Sequence, residues 1–334
     1  MPFLGDFGSK CQFYDSLSTD GRKAILMASC PPLGHLATER FSLAELRIRI
    51  PRINDSAWDY QTLSRIWNEA RSASPGRQVL FDFTDCMFIR PNAVVVLGGL
   101  CRMILREGGS VLFLASTMSA SVLSVLQQNG FAHAMGASDV PWPGNAIPYR
   151  EYSSPERDAI VTSLRADWLG RGWISVSDAL ADAIMGQVWE LFTNAFEHGK
   201  SPIGVISCGQ FFPKSRELLL SIADFGIGIP ANVSLYRGAD CSGSEAMSAA
   251  FKRGFTTSNA TYPRGMGLDL VKEFVQKANG CLEIFSYGGH ARIDAHGERY
   301  QTIPPVFDGT LVQIKIQCDD RFYRLSNELD QSFF

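Results

Sequence analysis

The residues best suited to chemistry lie in the second half of the chain. Asp224 ends an apolar run over 218–223 and is followed by Gly226 and Gly228. A carboxylate at the end of a strand can be held pointing into a pocket, and glycines beyond it let a flat ring or a phosphate approach the backbone. Turns often have the same composition, so this stretch alone does not separate a binding site from a turn.

A second pair of such residues precedes Asp224. Residues 176–198 are predicted to form a helix, and Glu190 and Asn194 lie four residues apart on one face of it. A glutamate can orient or deprotonate a nucleophile, and an asparagine can offer its carbonyl oxygen to a hard cation such as Mg²⁺. Taken alone, the pair is better explained by an ordinary exposed polar helix face.

Two further glycine motifs follow Asp224. Gly265, Met266, Gly267 and Leu268 open a predicted helix, whose N-terminal amides and dipole favour an anion. Gly309 and Thr310 precede the last predicted strand, over 311–316. Between these motifs, residues 231–264 are small and polar and are predicted to form a mobile lid, with Thr256 and Thr257 near its end.

The surrounding elements predict an α/β (α+β) chain with two domains. Strands and helices alternate in the first half, which predicts a small α/β domain. In the second half, two long helices precede a hairpin over 203–208 and 217–223. The predicted divisions are an extension at 1–40, a domain at 41–140, a linker at 141–155 in which 146–152 could add an edge strand, a domain at 156–318 and a tail at 319–334.

Composition excludes several function classes. The chain has a net charge of −3, which gives no reason to expect nucleic-acid binding. The longest apolar stretch, over 93–105, is too short to span a bilayer, and the N-terminus lacks the pattern of a signal peptide. The 8 cysteines are scattered singly, which favours reduced buried thiols. We therefore expect a cytoplasmic protein that is not attached to a membrane.

The segment over 81–93 looks like the central strand, loop and helix of STAS domains, the anti-sigma-factor-antagonist fold. The resemblance spans about residues 41–140. In the phosphorylatable members a Ser or Thr starts this helix, whereas the chain has Arg90, Pro91, Asn92 and Ala93 there. Asn92 has no hydroxyl, so we expect no phosphorylation switch at that site.

The motifs around Glu190, Asp224, Gly265 and Gly309 come in the order found in the GHKL ATPases, and the second half resembles that superfamily. Its members include gyrase B-type topoisomerases, a heat-shock chaperone, mismatch-repair ATPases, histidine kinases and anti-sigma-factor serine kinases. The resemblance covers about 155–318. It implies that the STAS-like domain is followed in the chain by a GHKL (Bergerat) α/β sandwich.

The resemblance also implies a role for each motif residue in binding ATP with Mg²⁺. Glu190 would be the general base, Asn194 the Mg²⁺ ligand and Asp224 the acceptor of the adenine amino hydrogen. The adenine would lie against Gly226 and Gly228, and Thr310 would support Asp224. The phosphates would be held by Gly265, Met266, Gly267 and Leu268, and the lid would contact nucleotide through Thr256 and Thr257.

The run from Asn194 ends in His198-Gly199, and this ending most resembles the sequence of the anti-sigma-factor serine kinases. The first hypothesis is therefore an ATP-binding regulator that phosphorylates a Ser or Thr on a protein partner, such as a STAS-type regulator. The alternative is an ATP-gated interaction module with little or no turnover. A gyrase-like or chaperone-like ATPase needs a transducer domain, and we expect none because only 319–334 follow. A homodimer is left open.

Overall fold

The structure is a computed structural model that describes residues 11–14, 45–72, 76–137, 140–142, 144–252 and 268–329. The chain divides between Gly144 and Asn145 into two compact units. None of the described helices is long and apolar enough to cross a membrane.

The first unit contains a parallel sheet joined by helices. Its strands lie in the order β1-β4-β3-β2, and every neighbouring pair is parallel. The strands are Cys11–Tyr14 (β1), Glu45–Arg49 (β2), Gln78–Asp82 (β3) and Ser110–Leu114 (β4). The described helices are Ala57–Arg71 (α1), Pro91–Arg106 (α2), Ala120–Gln128 (α3) and Phe131–Ala134 (α4).

Local sequence explains where these helices begin. Ser56 and Asp59 form a capping box at the start of α1. Pro91 occupies the first position of α2, where its missing amide hydrogen costs nothing. Asn92 is fully buried, and its side-chain amide donates to the Asn54 carbonyl oxygen at 2.8 Å. Asn92 therefore joins the start of α2 to the loop before α1.

The second unit contains a seven-stranded antiparallel sheet in the order β11-β10-β9-β12-β8-β7-β5. A two-stranded pair, β6 and β13, lies apart from it. The strands are Ala146–Tyr152 (β5), Ser175–Val176 (β6), Val205–Phe212 (β7), Glu217–Asp224 (β8), Cys281–Ser286 (β9), Gly289–Asp294 (β10), Gly297–Thr302 (β11), Thr310–Gln317 (β12) and Phe322–Tyr323 (β13).

Two helices of this unit, Asp178–Glu197 (α6) and Asp269–Lys277 (α9), pack on the sheet through one apolar cluster that includes Ile184, Val188, Val271 and Ile314. Ser177 caps α6 by accepting the Leu180 amide hydrogen. The described helices are Arg157–Leu164 (α5), which continues as a π-helical turn over Arg165–Leu169, then Asp178–Glu197 (α6), Gly228–Arg237 (α7), Gly243–Ala250 (α8) and Asp269–Lys277 (α9).

The predicted α/β class is confirmed, but several segments differ from their predicted state. Ala146–Tyr152, placed in the linker with an edge strand as the alternative, forms that strand. The lid predicted from residue 231 begins instead with helices α7 and α8. The sequence did not predict β10 and β11. The predicted tail pairs with β6 through Phe322–Tyr323 and ends its described part in a 3₁₀ helix, Ser326–Leu329.

Candidate functional site

The candidate site is centred on Asp224, a buried acidic residue of the second unit. This residue ends β8, is only 3% exposed, and lies directly opposite Thr310 of β12. Burial raises the pKa of its carboxyl group to about 7, while hydrogen bonds from Gly226 and Thr310 act in the opposite direction. The Gly226 amide donates to Asp224 Oδ1 at 3.1 Å. A buried carboxylate with these neutral donors is suited to accept a hydrogen from an uncharged polar ligand.

Glycines allow three chain segments to meet at this carboxylate. A Cβ atom on Gly226 would overlap the carbonyl oxygen of Gly199, and one on Gly309 would overlap that of Asp224. A Cβ atom on Gly199 would also lie 2.9 Å from Asp224 Oδ1. The Ile227 amide donates to the Gly199 carbonyl oxygen at 2.8 Å. The glycines around Asp224 are therefore required by close backbone packing.

The first turn of α7 is fixed to the same cluster. Gly228 starts this helix with a φ of +75°, a conformation that favours glycine. The Ile229 amide donates to Ser286 Oγ at 2.7 Å. Asn232 donates from its side chain to the carbonyl oxygens of His198, at 2.9 Å, and Gly228, at 3.1 Å. The ends of α6, β8 and β9 are thereby held together.

The polar face of α6 points toward the start of α9. Gln187 Oε1 accepts the Val271 amide hydrogen at 2.9 Å, which satisfies one of the amides that a helix leaves unbonded in its first turn. Glu190 and Asn194 are half-buried and follow Gln187 on the same face. The carbonyl oxygen of Asn194 accepts the Gly199 amide hydrogen at 3.2 Å. Gln187 therefore contacts the start of α9, and the C-terminal end of α6 is joined to the Gly199 segment that packs against Asp224.

Part of the predicted phosphate site lies outside the described residues, namely Thr256, Thr257, Gly265, Met266 and Gly267. Leu268 is described, and it is fully buried at the N-terminus of α9.

The residues on either side of 253–267 contact each other. Lys272 Nζ lies 4.7 Å from the centre of the Phe251 ring and 2.8 Å from Glu298 Oε1. The two described ends that flank this segment are thus held close together by a buried cation.

The structure therefore brings Asp224, Gly226, Gly228 and Thr310 into one cluster, and it places Glu190 and Asn194 on the helix that leads to it. Sequence reasoning missed Ser286 and Gln187. Neither has a sequence signal of its own, because each acts through a contact with a distant part of the chain.

Comparison with known protein families agrees with this geometry. Residues 179–318 match the family described as histidine kinase-, DNA gyrase B-, and HSP90-like ATPase. No curated protein matches the chain. Residues 179–318 therefore form a GHKL ATPase domain, which includes α6 through β12 and all of the site described above.

Proposed function

We propose that the protein binds ATP with Mg²⁺ and acts as a regulator of a protein partner. The observation that carries this proposal is the buried carboxylate of Asp224, opposite Thr310 and packed against Gly199. The 6-amino group of adenine would donate to Asp224, while Gly226 and Gly228 let the ring lie close to the backbone. This neutral donor suits a carboxylate whose hydrogen-bond partners are Gly226 and Thr310.

The phosphates would bind at the N-terminus of α9, through Gly265, Met266, Gly267 and Leu268, with Thr257 from the lid. Among the described residues no group of three or more His, Cys, Asp or Glu side chains could hold a metal ion. Mg²⁺ usually takes few protein ligands and completes its shell with phosphate oxygens and water. One amide oxygen from Asn194 fits this requirement.

Glu190 would act as the general base. It lies one helical turn before Asn194 on the α6 face that points to α9, so it is on the side where the phosphates would lie. A carboxylate there can take the proton from a water molecule or from a Ser or Thr hydroxyl that attacks the γ-phosphate. The His198-Gly199 ending supports a protein kinase of the anti-sigma-factor type, with a Ser or Thr on a protein partner as acceptor.

We further propose that residues 41–140 form a STAS-like domain and that 156–318 act as the catalytic part. Asn92 is an integral part of the first unit, since it is fully buried and bonded to Asn54, and it has no hydroxyl. This favours a second candidate function, an ATP-gated interaction module in which nucleotide changes partner binding with little turnover. A homodimer and a STAS-type partner are compatible with both.

Labelled ATP separates the two candidates. The protein is incubated with γ-labelled ATP, Mg²⁺ and STAS-type partner proteins, beside the Glu190→Gln variant. A kinase transfers label to the partner, and Glu190→Gln abolishes the transfer while ATP still binds. ATP hydrolysis without labelled protein would exclude the kinase function. In an interaction module, Glu190→Gln keeps ATP-dependent partner binding and Asp224→Asn loses it.

A further inference from the structure

Ser286 lies where three segments of the ATPase domain meet. It is the last residue of β9 and is fully buried. Its hydroxyl accepts the Ile229 amide hydrogen at 2.7 Å and lies 3.2 Å from the Gly309 carbonyl oxygen and 2.9 Å from Thr310 Oγ1. One small side chain thus contacts the start of α7 and the start of β12.

The strand register places Ser286 in a row of three paired residues that crosses the sheet. Thr310 pairs with Ser286 on one side and with Asp224 on the other, so the three residues cross β9, β12 and β8 in line. A hydrogen bond from the Thr310 side chain to Asp224 favours the charged form of that carboxyl group and so lowers its pKa. Ser286 therefore touches the residue that donates to Asp224.

The direction of these hydrogen bonds matters because a serine hydroxyl has one hydrogen to donate. If Ser286 donates to Thr310 Oγ1, the Thr310 hydrogen is available to Asp224. If Ser286 donates to the Gly309 carbonyl oxygen instead, it accepts from Thr310, and the Thr310 hydrogen turns away from Asp224. The row thus allows two arrangements of hydrogen-bond direction. Only in the first does Thr310 donate to Asp224 and so stabilise the charged form of its carboxyl group.

We propose that Ser286 is a positioning residue for adenine recognition, which orients the Thr310 hydroxyl toward Asp224 so that the carboxylate accepts the 6-amino group. This inference rests on the proposed ATP site. Ser286 does not touch the nucleotide; it acts through Thr310. It therefore contributes to the choice of adenine over a ring that lacks the amino group, and not to phosphate binding.

The titratable groups on the segments packed against Asp224 are His198 and Lys200, which flank Gly199, and Asp308, which precedes Gly309. None of them is among the causes of the pKa shift of Asp224, which are burial and the hydrogen bonds from Gly226 and Thr310. The Thr310 bond is thus one of the few influences on this carboxyl group, and a residue that controls it has a measurable effect.

The test compares Ser286→Ala with Ser221→Ala, which removes another fully buried hydroxyl from the same sheet. The Ser221 hydroxyl has no hydrogen-bond partner within the described residues. Calorimetry measures the Kd of ATP and of purine riboside triphosphate, which lacks the 6-amino group, and thermal melts confirm that both variants are folded.

We expect Ser286→Ala to weaken ATP binding about fivefold, the worth of about one hydrogen bond, and to change analogue binding less than about twofold. Ser221→Ala should change neither. The Thr310 hydrogen bond lowers the pKa of Asp224, so loss of this bond should raise that pKa. ATP affinity should then begin to fall at a higher pH when the solution is acidified. Thr310→Val should give the same loss, and adding Ser286→Ala to it should cost nothing more.

Two results overturn the inference. Equal losses for ATP and the analogue mean that Ser286 only packs the site, and full additivity with Thr310→Val means that it does not act through Thr310. These results differ from failure of the proposed function itself. If the unsubstituted protein binds neither nucleotide, or binds both equally, the ATP site is wrong and the role of Ser286 falls with it.

Discussion

Asp224 and Thr310 lie directly opposite each other in the antiparallel pair of β8 and β12. This register places a hydroxyl beside a carboxylate that is 3% exposed, at the strand end against which Gly199 and Gly309 pack. The two residues are 86 positions apart in the sequence, and the strand pairing alone brings them together. The site thus depends on the register of the sheet as much as on its motifs.

ATP affinity should depend on pH near neutrality. The pKa of Asp224 is raised to about 7, so acidification protonates the acceptor of the adenine amino group. We expect affinity to fall by up to about tenfold from pH 8 to pH 6, because each pH unit below the pKa costs up to a factor of ten. Calorimetry with purine riboside triphosphate corrects for titration of the phosphates, and an equal fall for both nucleotides contradicts the assignment.

The carboxyl group of Asp224 should lower the free energy of unfolding of the nucleotide-free protein. Its pKa in the folded state lies above the unfolded value of 3.8, so the folded state binds more protons between pH 4 and 7 and loses stability as pH rises through this range. Asp224→Asn removes the charge. It should stabilise the protein at pH 8 by up to about 4 kcal/mol, since one pKa unit is about 1.4 kcal/mol.

Thermal melts of Asp224→Asn at pH 5 and pH 8 check this stability effect. The gain in melting temperature should be large at pH 8 and small at pH 5, where Asp224 is already neutral. An equal gain at both pH values would show that the buried charge is not its source.

Gly226 should not tolerate a side chain. A Cβ atom there overlaps the Gly199 carbonyl oxygen, so Gly226→Ala must separate two backbone segments. We expect a loss of about 3 kcal/mol in the free energy of unfolding, within the range for strained substitutions. Gly186→Ala on α6 is the matched control, because a Cβ atom meets nothing within 4 Å there. It should stabilise the helix by about 0.5–1 kcal/mol.

Urea unfolding measures both glycine variants. A Gly226→Ala variant as stable as the parent protein would mean that the two segments separate easily, and the close packing at Asp224 would then not explain the glycine.

Gln187 should support the phosphate side of the site. Its side chain accepts the Val271 amide hydrogen at 2.9 Å and so holds the first turn of α9 against α6. Gln187→Met keeps the length of the side chain and removes the acceptor. We expect ATP to bind about threefold to tenfold more weakly, the worth of one hydrogen bond, and adenosine to be little affected. Equal losses of affinity for ATP and adenosine would mean that Gln187 does not act on the phosphate side of the site.

The sequence located the elements that carry the motif residues, because periodicity predicts strand ends and helix faces. Asp224 follows an alternating strand, and Glu190 and Asn194 share one helix face. Ser286 and Gln187 could not be found in this way, since a single Ser or Gln has no pattern. Their roles come from contacts with Thr310 and Val271, which only the folded chain brings near.

The missed elements have a similar explanation. Gly297–Thr302 is a sheet edge with mostly exposed polar side chains, so it lacks the apolar alternation of a half-buried strand. Helix α7 has few buried residues, and helix α8, although mostly buried, consists largely of small residues, so the sequence of both is typical of a loop. The sequence shows Gly199 as part of the His198-Gly199 motif, but its contact with Asp224 depends on packing between distant segments.

The most direct test of the ATP site is calorimetric titration of the protein with Mg-ATP, beside Asp224→Asn and the control Asp308→Asn, which changes an exposed acid two residues before Thr310. ATP should bind Asp224→Asn about 10- to 100-fold more weakly, as expected for the loss of a hydrogen bond to a charged group, and should bind Asp308→Asn normally. Undiminished affinity in a folded Asp224→Asn variant would contradict the account.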